Sequence, residues 1–331
     1  MARFANIVAT ARYAPERRVT NDELRERYKS IAPEFVDKME ASSGILQRWY
    51  APEDWATSDV ALPAARLALE RADRMPEDVD LIVLGTDSPD YITPATSTVL
   101  QGKLGAKNAG TFDVGCACAS FPTGLAAAAG IMASNPWMKT ALVLGVYLMH
   151  RLSDPMDPMT FFYGDGASAA VLEMRDKPGF ITSAFLADGT YARAWLIPSG
   201  GTVSPASAET LASGYTRVKM LDRYPPEIND EGWPKLVRML AERGKFALSD
   251  IDMAIFTQVR RPTIELVMSK LGLPMSKTHT IMDEYGYTGS ACVGMALDSA
   301  IEKGKVKPGA LVVLVGSGVG YNQAAVAFRM P

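Results

Sequence analysis

The 331-residue sequence has few of the residues that build metal centres and disulfide frameworks. It contains only two histidines and three cysteines. Two histidines make a His-based metal site improbable, and an odd number of cysteines leaves at least one free thiol. We therefore expect no metal and no disulfide framework. The free thiols suggest a reducing compartment, which we take to be the cytoplasm.

The sequence also has no strong charge of either sign and no obvious membrane segment. Lys and Arg total 34 against 37 Asp and Glu, giving a net charge of −3. This balance argues against a nucleic-acid partner or an anionic membrane surface. The first residues, MARFANIVATARYAP, lack the apolar region of a signal peptide, and we found no apolar run of about 18–20 residues. We expect no membrane span.

The chain contains an internal repeat. The segment from Pro63, PAARLALERADRMPEDVDLIVLGT, matches PKLVRMLAERGKFALSDIDMAIFT from Pro234, helix for helix and strand for strand. Asp80 and Asp252 precede the two apolar strands. ALVLGVYL likewise pairs with ALVVLVGSG, and FDVGCACASFPTGL pairs with MDEYGYTGSACVGMALD, each predicted as strand, turn and helix. Units that recur in the same order indicate a duplicated domain.

The repeat predicts the fold class and the domain organisation. Apolar strands without alternation, separated by helices, indicate sheets that are covered on both faces. We therefore predict an α/β protein of two duplicated halves, residues 1–175 and 176–331. Residues 180–225, which carry a stretch rich in Gly, Ser and Pro, are predicted to form loops over one face.

The stretch FDVGCACASFPTGL, residues 112–125, is the best candidate for chemistry. A predicted strand breaks at Gly115, and Pro122 fits only the first turn of the helix that follows. Cys118 therefore lies at or just before a helix N-terminus, where free N–H groups and the helix dipole can stabilise a thiolate. Such a thiolate can attack a thioester and carry an acyl group. Alternatively, Cys116 and Cys118 are small buried residues.

This stretch resembles the nucleophile segment of 3-oxoacyl-ACP synthase III enzymes in the thiolase superfamily, D-x-x-x-A-C-x-G-F-x-x-G-L. Matching positions are Asp113, Cys118, Phe121, Gly124 and Leu125, whereas Ser120 replaces the usual glycine. The resemblance implies a five-layered αβαβα thiolase-type fold and a homodimer. It also implies Cys118 as the acyl carrier, with acyl-CoA or acyl carrier protein as partner and no further cofactor.

The decarboxylating residues of that family are replaced here. Family members that condense with malonyl-ACP use a His in H-Q-A-N and an Asn in G-N-T-S-A-A. Gln258 occupies the His position and Tyr287 the Asn position. Both can donate hydrogen bonds, but neither is an imidazole base. His150 and His279 are interpreted as structural. Losing one donor of this kind costs about 100-fold or more, so we expect weak malonyl decarboxylation.

Several further residues are assigned through the resemblance. GSGVGYNQ resembles the family's C-terminal glycine loop, so the N–H groups of Val319 and Cys118 are expected to form the oxyanion hole. Arg260 and Arg261 are candidate phosphate contacts, although a solvated charge pair is the simpler interpretation. Thr93 lies where the family often has a bulkier residue that reaches across the dimer, which hints at a roomier acyl pocket.

Asp87 is a candidate base. GTDS and YTGS resemble the A-T-E-S and Y-T-G/A-S segments of 3-hydroxy-3-methylglutaryl-CoA synthases, where the carboxylate removes a proton from an acetyl group. The same stretch, TDSPDYITP, also fits the synthase III pattern T-S-T-P-D-Y-x-x-P, in which this position is not catalytic. Both interpretations of Asp87 stay open.

The sequence therefore predicts an acyltransferase or condensing enzyme of a specialised pathway. We favour direct acyl transfer from Cys118, or condensation with an acceptor that is activated in an unusual way. Decarboxylative or 3-hydroxy-3-methylglutaryl-CoA-synthase-like carbon–carbon condensation is an alternative. A second alternative is a catalytically impaired subunit of a heteromeric synthase. Thiol redox chemistry is disfavoured, because Cys116 and Cys118 are too close in the chain for an easy disulfide.

Overall fold

A computed structural model describes residues 3–225 and 227–331. The strands are β1 (Phe4–Tyr13), β2 (Arg17–Thr20), β3 (Gln47–Tyr50), β4 (Leu81–Gly85), β5 (Gly110–Val114), β6 (Thr140–Tyr147), β7 (Gly166–Arg175), β8 (Phe180–Ala187), β9 (Trp195–Leu196), β10 (Lys219–Met220), β11 (Met253–Phe256), β12 (Leu311–Gly318) and β13 (Asn322–Arg329). The α-helices are α1 (Asn21–Tyr28), α2 (Phe35–Ser43), α3 (Thr57–Arg71), α4 (Thr96–Leu104), α5 (Ser120–Ser134), α6 (Ala208–Ala212), α7 (Glu227–Gly244), α8 (Arg261–Leu271), α9 (Met282–Tyr285) and α10 (Cys292–Glu302).

The fold is built around two sheets. The first has the strand order β1-β7-β6-β4-β5, and the second has the order β11-β12-β13-β8. In the first sheet β4 is parallel to β5 and β6, whereas β7 is antiparallel to β6 and to β1. In the second, β11 is parallel to β12, and β13 is antiparallel to β12 and β8. All first-sheet strands lie within residues 4–175, and all second-sheet strands lie within 180–329.

The sheets are the second and fourth of five layers. Apolar side chains of α5 and α10 pack between the two sheets in one core. Side chains of α3 and α4 cover the outer face of the first sheet, and those of α7 and α8 cover the outer face of the second. Because both faces of each sheet are covered, the central strands are buried along their length, as in β6, where all eight residues are buried. The predicted αβαβα fold is confirmed.

The two halves repeat hydrogen bonds as well as elements. The carboxylate of Asp80 accepts from the N–H of Thr140 at 3.0 Å, and that of Asp252 accepts from the N–H of Leu311 at 2.8 Å. Each aspartate also donates its own N–H to the carbonyl of the same partner, at 2.9 Å in both halves. The paired positions read from the sequence therefore make the same contacts in space.

Two secondary-structure predictions were wrong. The strand predicted at MDEY is helix α9, and the counterpart of β5 is reduced to one bridge between Ala254 and Thr278. The N–H of Ile281 donates to the Gln258 side chain instead of extending that pairing. The predicted loop region 180–225 also begins with the eight-residue strand β8, at the edge of the second sheet.

One helical segment is long and apolar enough to cross a membrane by length and composition alone. It is Ala117–Ser134, with a mean hydropathy of 1.3. This was not anticipated from the sequence. In the fold 61% of the segment is buried, and its side chains pack against both sheets in the central core. It has the surroundings of a core helix.

Candidate active site

Cys118 lies in the turn between β5 and α5. The strand ends at Val114, a short 3₁₀ turn covers Ala117–Ala119, and α5 begins at Ser120. Ala117 adopts a left-handed φ of +46°, an uncommon backbone conformation for a residue with a Cβ. The Ser120 hydroxyl accepts from the N–H of Cys116 at 2.9 Å and holds the turn closed. Cys118 is thereby fixed at the helix N-terminus, as the sequence predicted.

The second half contains an equivalent turn without a nucleophilic thiol at its centre. A 3₁₀ turn covers Gly289–Ala291 and leads into α10, which places Ser290 in the position that Cys118 has in the first half. The residue before it, Gly289, has φ +42°. The Ser290 hydroxyl donates to the carbonyl of Ala117 at 3.0 Å. The two turns therefore touch each other directly.

Each turn packs against the end of a strand. The last strand residue is a glycine beside the Cys118 turn and a tyrosine beside the Ser290 turn. Beside Cys118, the last residue of β12 is Gly318, and a Cβ there would lie 2.2 Å from the carbonyl oxygen of Cys116. Beside Ser290, the last residue of β6 is Tyr147, and a Cβ on Gly289 would lie 2.1 Å from its ring. Glycine thus lets the strand end pack directly on the backbone of the Cys118 turn, whereas at the Ser290 turn the Tyr147 ring packs against Gly289.

Cys118 opens on a cavity of about 530 Å³, large enough for a small ligand. Its charged lining residues are Asp87, Asp230 and Arg260. Aromatic rings form much of the remaining wall, from Tyr147, Phe162, Tyr163, Trp195, Tyr224, Tyr287 and Tyr321. Neither histidine lines the cavity: His150 pairs with Asp165 at 2.6 Å, and His279 contacts Ser299 at 3.0 Å. No imidazole is therefore available beside Cys118.

Tyr287 makes the direct contact with the nucleophile. Its hydroxyl and the Cys118 Sγ are hydrogen-bonded. The Tyr287 backbone is fixed, because its N–H donates to the carbonyl of Phe162 at 2.8 Å and its carbonyl accepts from the N–H of Gly164 at 3.0 Å. The phenol occupies the position from which a donor can stabilise negative charge on sulfur.

Burial opposes the thiolate stabilisation that the sequence predicts for Cys118 at the helix terminus. Burial raises the pKa of the Cys118 thiol well above its usual range, and the nearby Asp87 carboxylate raises it further. The hydrogen bond from Tyr287 lowers it, but by less. Cys118 is only 2% exposed, so the loss of hydration disfavours the thiolate. We therefore expect the resting nucleophile to be a neutral thiol that needs a base.

Asp87 is the group in the cavity that can serve as that base. Burial raises its pKa to about 7, against small opposing effects from its own N–H and from Ser290. The Ser290 hydroxyl lies 3.4 Å from Oδ1, while Oδ2 is buried without a hydrogen-bond partner among the described residues. A carboxylate that titrates near neutral pH is matched to proton transfer.

Gln258 does not take the place of the missing imidazole. Its side-chain amide donates to the carbonyls of Phe256 at 2.8 Å and His279 at 3.3 Å. Its oxygen accepts from the N–H of Ile281 at 2.9 Å. The residue is fully buried and does not line the cavity. The expected catalytic role is corrected, because every donor and acceptor of this side chain is used to hold the backbone.

Val319 lies in the turn between β12 and β13, and this turn lines the cavity with Ser317 and Gly318. Side chains from the segment before and within α7 hold the turn. The N–H of Gly320 donates to the Tyr224 hydroxyl at 3.1 Å, and the Ser317 hydroxyl donates to Asn229 at 2.7 Å. The end of β12 packs closely against Cys118: a Cβ on Gly316 would lie 2.8 Å from the Cys118 carbonyl oxygen, and one on Gly318 would lie 3.0 Å from the Cys118 nitrogen.

The remaining predicted residues divide between the cavity and the surface. Arg260 is exposed and lines the cavity opening together with Pro262 and Leu266, and we call these three residues the mouth. Arg261 is outside the cavity and pairs with Glu265 at 3.2 Å. This places it away from substrate and favours the surface charge interpretation. Thr93 is exposed and does not line the cavity of its own chain.

Two site residues were missed from the sequence. Tyr147 and Ser290 line or border the site with Asp87 and Cys118. Ser290 was noted only as the last residue of YTGS, without a role, and Tyr147 stands in no recognised motif. The internal repeat could have identified both residues. The cysteine turn aligns with the segment that holds Ser290, and ALVLGVYL, which contains Tyr147, aligns with the strand that ends in the glycine loop. Among residues 3–225 and 227–331, no three His, Cys, Asp or Glu side chains gather as metal ligands.

Comparison with known proteins agrees with this geometry. The family model described as 3-oxoacyl-[acyl-carrier-protein (ACP)] synthase III matches residues 112–189, and the model of its C-terminal part matches residues 241–330. The chain is 34% identical to the β-ketoacyl-[acyl-carrier-protein] synthase III of Syntrophomonas wolfei, over 95% of this chain and 94% of that one. It belongs to the 3-oxoacyl-ACP synthase III family.

Solved structures of this family superpose closely. The 3-oxoacyl-(acyl carrier protein) synthase III of Pseudomonas aeruginosa gives a TM-score of 0.87 at 27% identity, covering 99% of both chains. A priming β-ketosynthase from a polyketide biosynthetic pathway gives 0.86 at 27% identity, covering 100% of this chain and 97% of the other. The chain is therefore an acyl-transferring condensing enzyme of the thiolase superfamily.

Proposed function

We propose that this synthase III homologue is an acyltransferase in which Asp87, rather than a histidine, is the base. Cys118 takes an acyl group from a thioester and passes it to an acceptor that Asp87 deprotonates. The observation that supports this is the joint placement of Asp87 and Cys118 in one cavity that no imidazole lines. Decarboxylative condensation fits less well, because the Gln258 amide is bound to the backbone.

In the first half-reaction the neutral Cys118 thiol must lose its proton. Asp87 accepts that proton while the sulfur attacks the thioester carbonyl, and Tyr287 donates a hydrogen bond to the charge on sulfur. The N–H groups of Cys118 and Val319 are the expected donors to the tetrahedral oxyanion. Collapse breaks the bond to the departing thiolate, which takes the proton back from Asp87. The products are an acyl-Cys118 thioester and a free thiol.

The second half-reaction repeats this chemistry with a new nucleophile. The Asp87 carboxylate removes a proton from an acceptor O–H, N–H or acidic C–H group, and the acceptor attacks the acyl-Cys118 carbonyl. The Cys118 thiolate leaves and recovers the proton from Asp87. A base whose pKa is about 7 can both accept and return the proton near neutral pH.

The proposal also covers the acyl donor and the oligomeric state of the enzyme. Arg260 at the mouth is suited to the phosphates of acyl-CoA or of an acyl carrier protein's prosthetic arm. We propose a cytoplasmic homodimer that needs no further cofactor. The exposed apolar side chains of Tyr91 and Ile92, 60% and 82% exposed beside Thr93, support burial against a second copy.

The intact mass of the protein after incubation with acyl-CoAs tests this function. We expect a single adduct that Cys118→Ala abolishes, and an acylation rate that falls roughly 100-fold in Asp87→Asn. Malonyl-CoA is then added to the acylated enzyme. An adduct that persists supports transfer to another acceptor, whereas discharge with release of carbon dioxide would show decarboxylative condensation. Absence of any adduct would favour an impaired subunit of a heteromeric synthase.

A further inference from the structure

Four aromatic rings form a continuous row along the cavity wall, starting at the nucleophile. We call Tyr287, Tyr147, Tyr163 and Trp195 the aromatic row. The Tyr287 hydroxyl contacts the Cys118 sulfur. Ring centroids are 5.8 Å apart from Tyr287 to Tyr147, 6.3 Å from Tyr147 to Tyr163, and 6.2 Å from Tyr163 to Trp195. All four residues line the cavity.

The row is rigid. Tyr163 and Tyr287 lie on adjacent backbones joined by a β-bridge, so their spacing is set by main-chain hydrogen bonds. The Tyr147 ring occupies the space that the missing side chain of Gly289 leaves. Tyr147 and Tyr163 are 1% and 3% exposed, and neighbouring rings meet at interplanar angles of 53°, 70° and 77°. The Tyr147–Tyr163 and Tyr163–Trp195 pairs are edge-to-face and the Tyr287–Tyr147 pair is tilted, so ring edges and faces have fixed orientations.

The position of the aromatic row in the cavity determines which part of a bound substrate it can contact. The arm of an acyl-CoA or carrier protein must leave to solvent, and the exposed residues of the mouth provide that exit. Tyr147 and Tyr163 are buried, so the row does not form the exit. A group bonded to the Cys118 sulfur and turned away from the mouth would lie along these rings.

We propose that the acyl group carried by Cys118 is aromatic. A planar ring can pack edge-to-face or offset against successive members of the row, which adds an attraction beyond the area buried. A saturated ring of similar size buries a similar area without that attraction. The inference rests on the proposed acylation of Cys118 and specifies its substrate class.

The test compares phenylacetyl-CoA with cyclohexylacetyl-CoA as donors to the full-length protein. The methylene group insulates both carbonyls from the ring, so the two thioesters have similar reactivity and differ mainly in aromaticity. The rate of Cys118 acylation is followed by intact mass. We expect a roughly tenfold preference for phenylacetyl-CoA, and we expect Tyr163→Leu and Trp195→Leu to reduce that ratio towards one.

The control variant is Tyr191→Leu, because Tyr191 packs against the rings of Tyr224 and Tyr321 but does not line the cavity. It should keep the wild-type ratio. Equal rates for the two donors, or faster acylation by cyclohexylacetyl-CoA, would overturn the aromatic assignment and leave the acyltransferase proposal intact. No adduct from either donor or from acetyl-CoA would overturn both proposals together.

Discussion

At the scale of single residues, the site depends on a carboxyl group that is buried away from water. Asp87 lies in a cavity among aromatic rings, with one oxygen lacking a partner in the described part of the chain. Such burial disfavours the charged form and is why the pKa rises to about 7. The same shift that makes Asp87 a useful base also makes it a source of instability.

Asp87→Asn is expected to lower the acylation rate and to raise the free energy of unfolding at high pH. Between about pH 4 and pH 7 the native protein keeps a proton on Asp87 that the unfolded chain has lost, so stability falls as pH rises across this window. Above pH 7 the full penalty, at most about 4 kcal/mol, is present. The Asn variant should therefore be more stable at pH 8 but not at pH 4. Urea unfolding at both pH values measures this.

The pH profile of the wild type provides the matching control. Acylation of Cys118 should accelerate as pH rises through about 7, where Asp87 becomes the carboxylate. The slow residual reaction of Asp87→Asn should lack that inflection. An inflection near pH 7 that survives the substitution would assign the titration to another group.

Gln258→Ala separates a structural role from a catalytic one. The substitution leaves the N–H of Ile281 and two buried carbonyls without their partner. We expect a loss of about 2–4 kcal/mol in the free energy of unfolding. The acylation rate per folded molecule should not change. Gln101→Ala, which removes one bond to the carbonyl of Ala106, is the control and should cost about 1 kcal/mol.

At the scale of elements, the β12–β13 turn depends on residues that precede and begin α7. The Tyr224 hydroxyl accepts from the N–H of Gly320, and Asn229 accepts from Ser317. Both Tyr224 and Asn229 also line the cavity. Substrate contacts and the position of the expected oxyanion donors are therefore set by the same short segment.

Tyr224→Phe should slow acylation of Cys118 by acyl-CoA about tenfold, because the turn loses an anchor and its N–H groups move. Alkylation of Cys118 by iodoacetamide forms no oxyanion, so its rate should stay the same. Tyr191→Phe is the control, since its ring packs beside Tyr224. An equal slowing of both reactions would mean that the substitution disturbs the thiol itself.

The turn before α10 depends on Gly289 for two separate reasons. Its φ is +42°, and an added Cβ would lie 2.1 Å from the Tyr147 ring. Gly289→Ala should cost about 3–5 kcal/mol in total. In a Tyr147→Ala background the clash is gone, and only the left-handed conformation remains, at about 1–2 kcal/mol. A double-mutant cycle by urea unfolding measures the difference. An unchanged cost would show that the ring does not constrain the turn.

The elements also show what the sequence could and could not predict. Helix α1 begins at a local signal, because Thr20 and Glu23 form a capping box at its start. Cys118 was placed correctly by a local strand-to-helix pattern. The roles of Gln258 and Tyr147 depend on contacts with distant segments. Ile281 bonds to Gln258 and Gly289 makes room for Tyr147, and no local pattern records either contact.

At the scale of the whole molecule, a buried ion cluster ties α10 to the first half. Asp298 is 2% exposed and pairs with Arg12 of β1 at 2.6 Å and with Arg71 of α3 at 2.8 Å. Thr10 donates to the same carboxylate at 2.8 Å. Every oxygen of this carboxylate is used, which is the condition under which a buried charge is tolerated.

Asp298→Ala should destabilise the protein by about 3–5 kcal/mol, because two arginines lose a buried partner. Glu302→Ala is the matched control. Glu302 also pairs with Arg12, but it is 54% exposed and should contribute less than about 1 kcal/mol. Thermal unfolding of both variants measures the contrast. Equal, small effects would show that the halves are held by their apolar core alone.

The contacts of Ser290 make the two duplicated halves depend on each other. A duplicated half without a nucleophile of its own is expected to accumulate substitutions more freely at the former nucleophile position. Here the former counterpart of the nucleophile donates to the carbonyl of Ala117, one residue before Cys118, and approaches the Asp87 carboxylate. The second half, which also supplies Tyr287 and Val319 to the cavity, therefore remains under the same selection as the first, and a substitution at Ser290 is expected to reduce catalysis at Cys118.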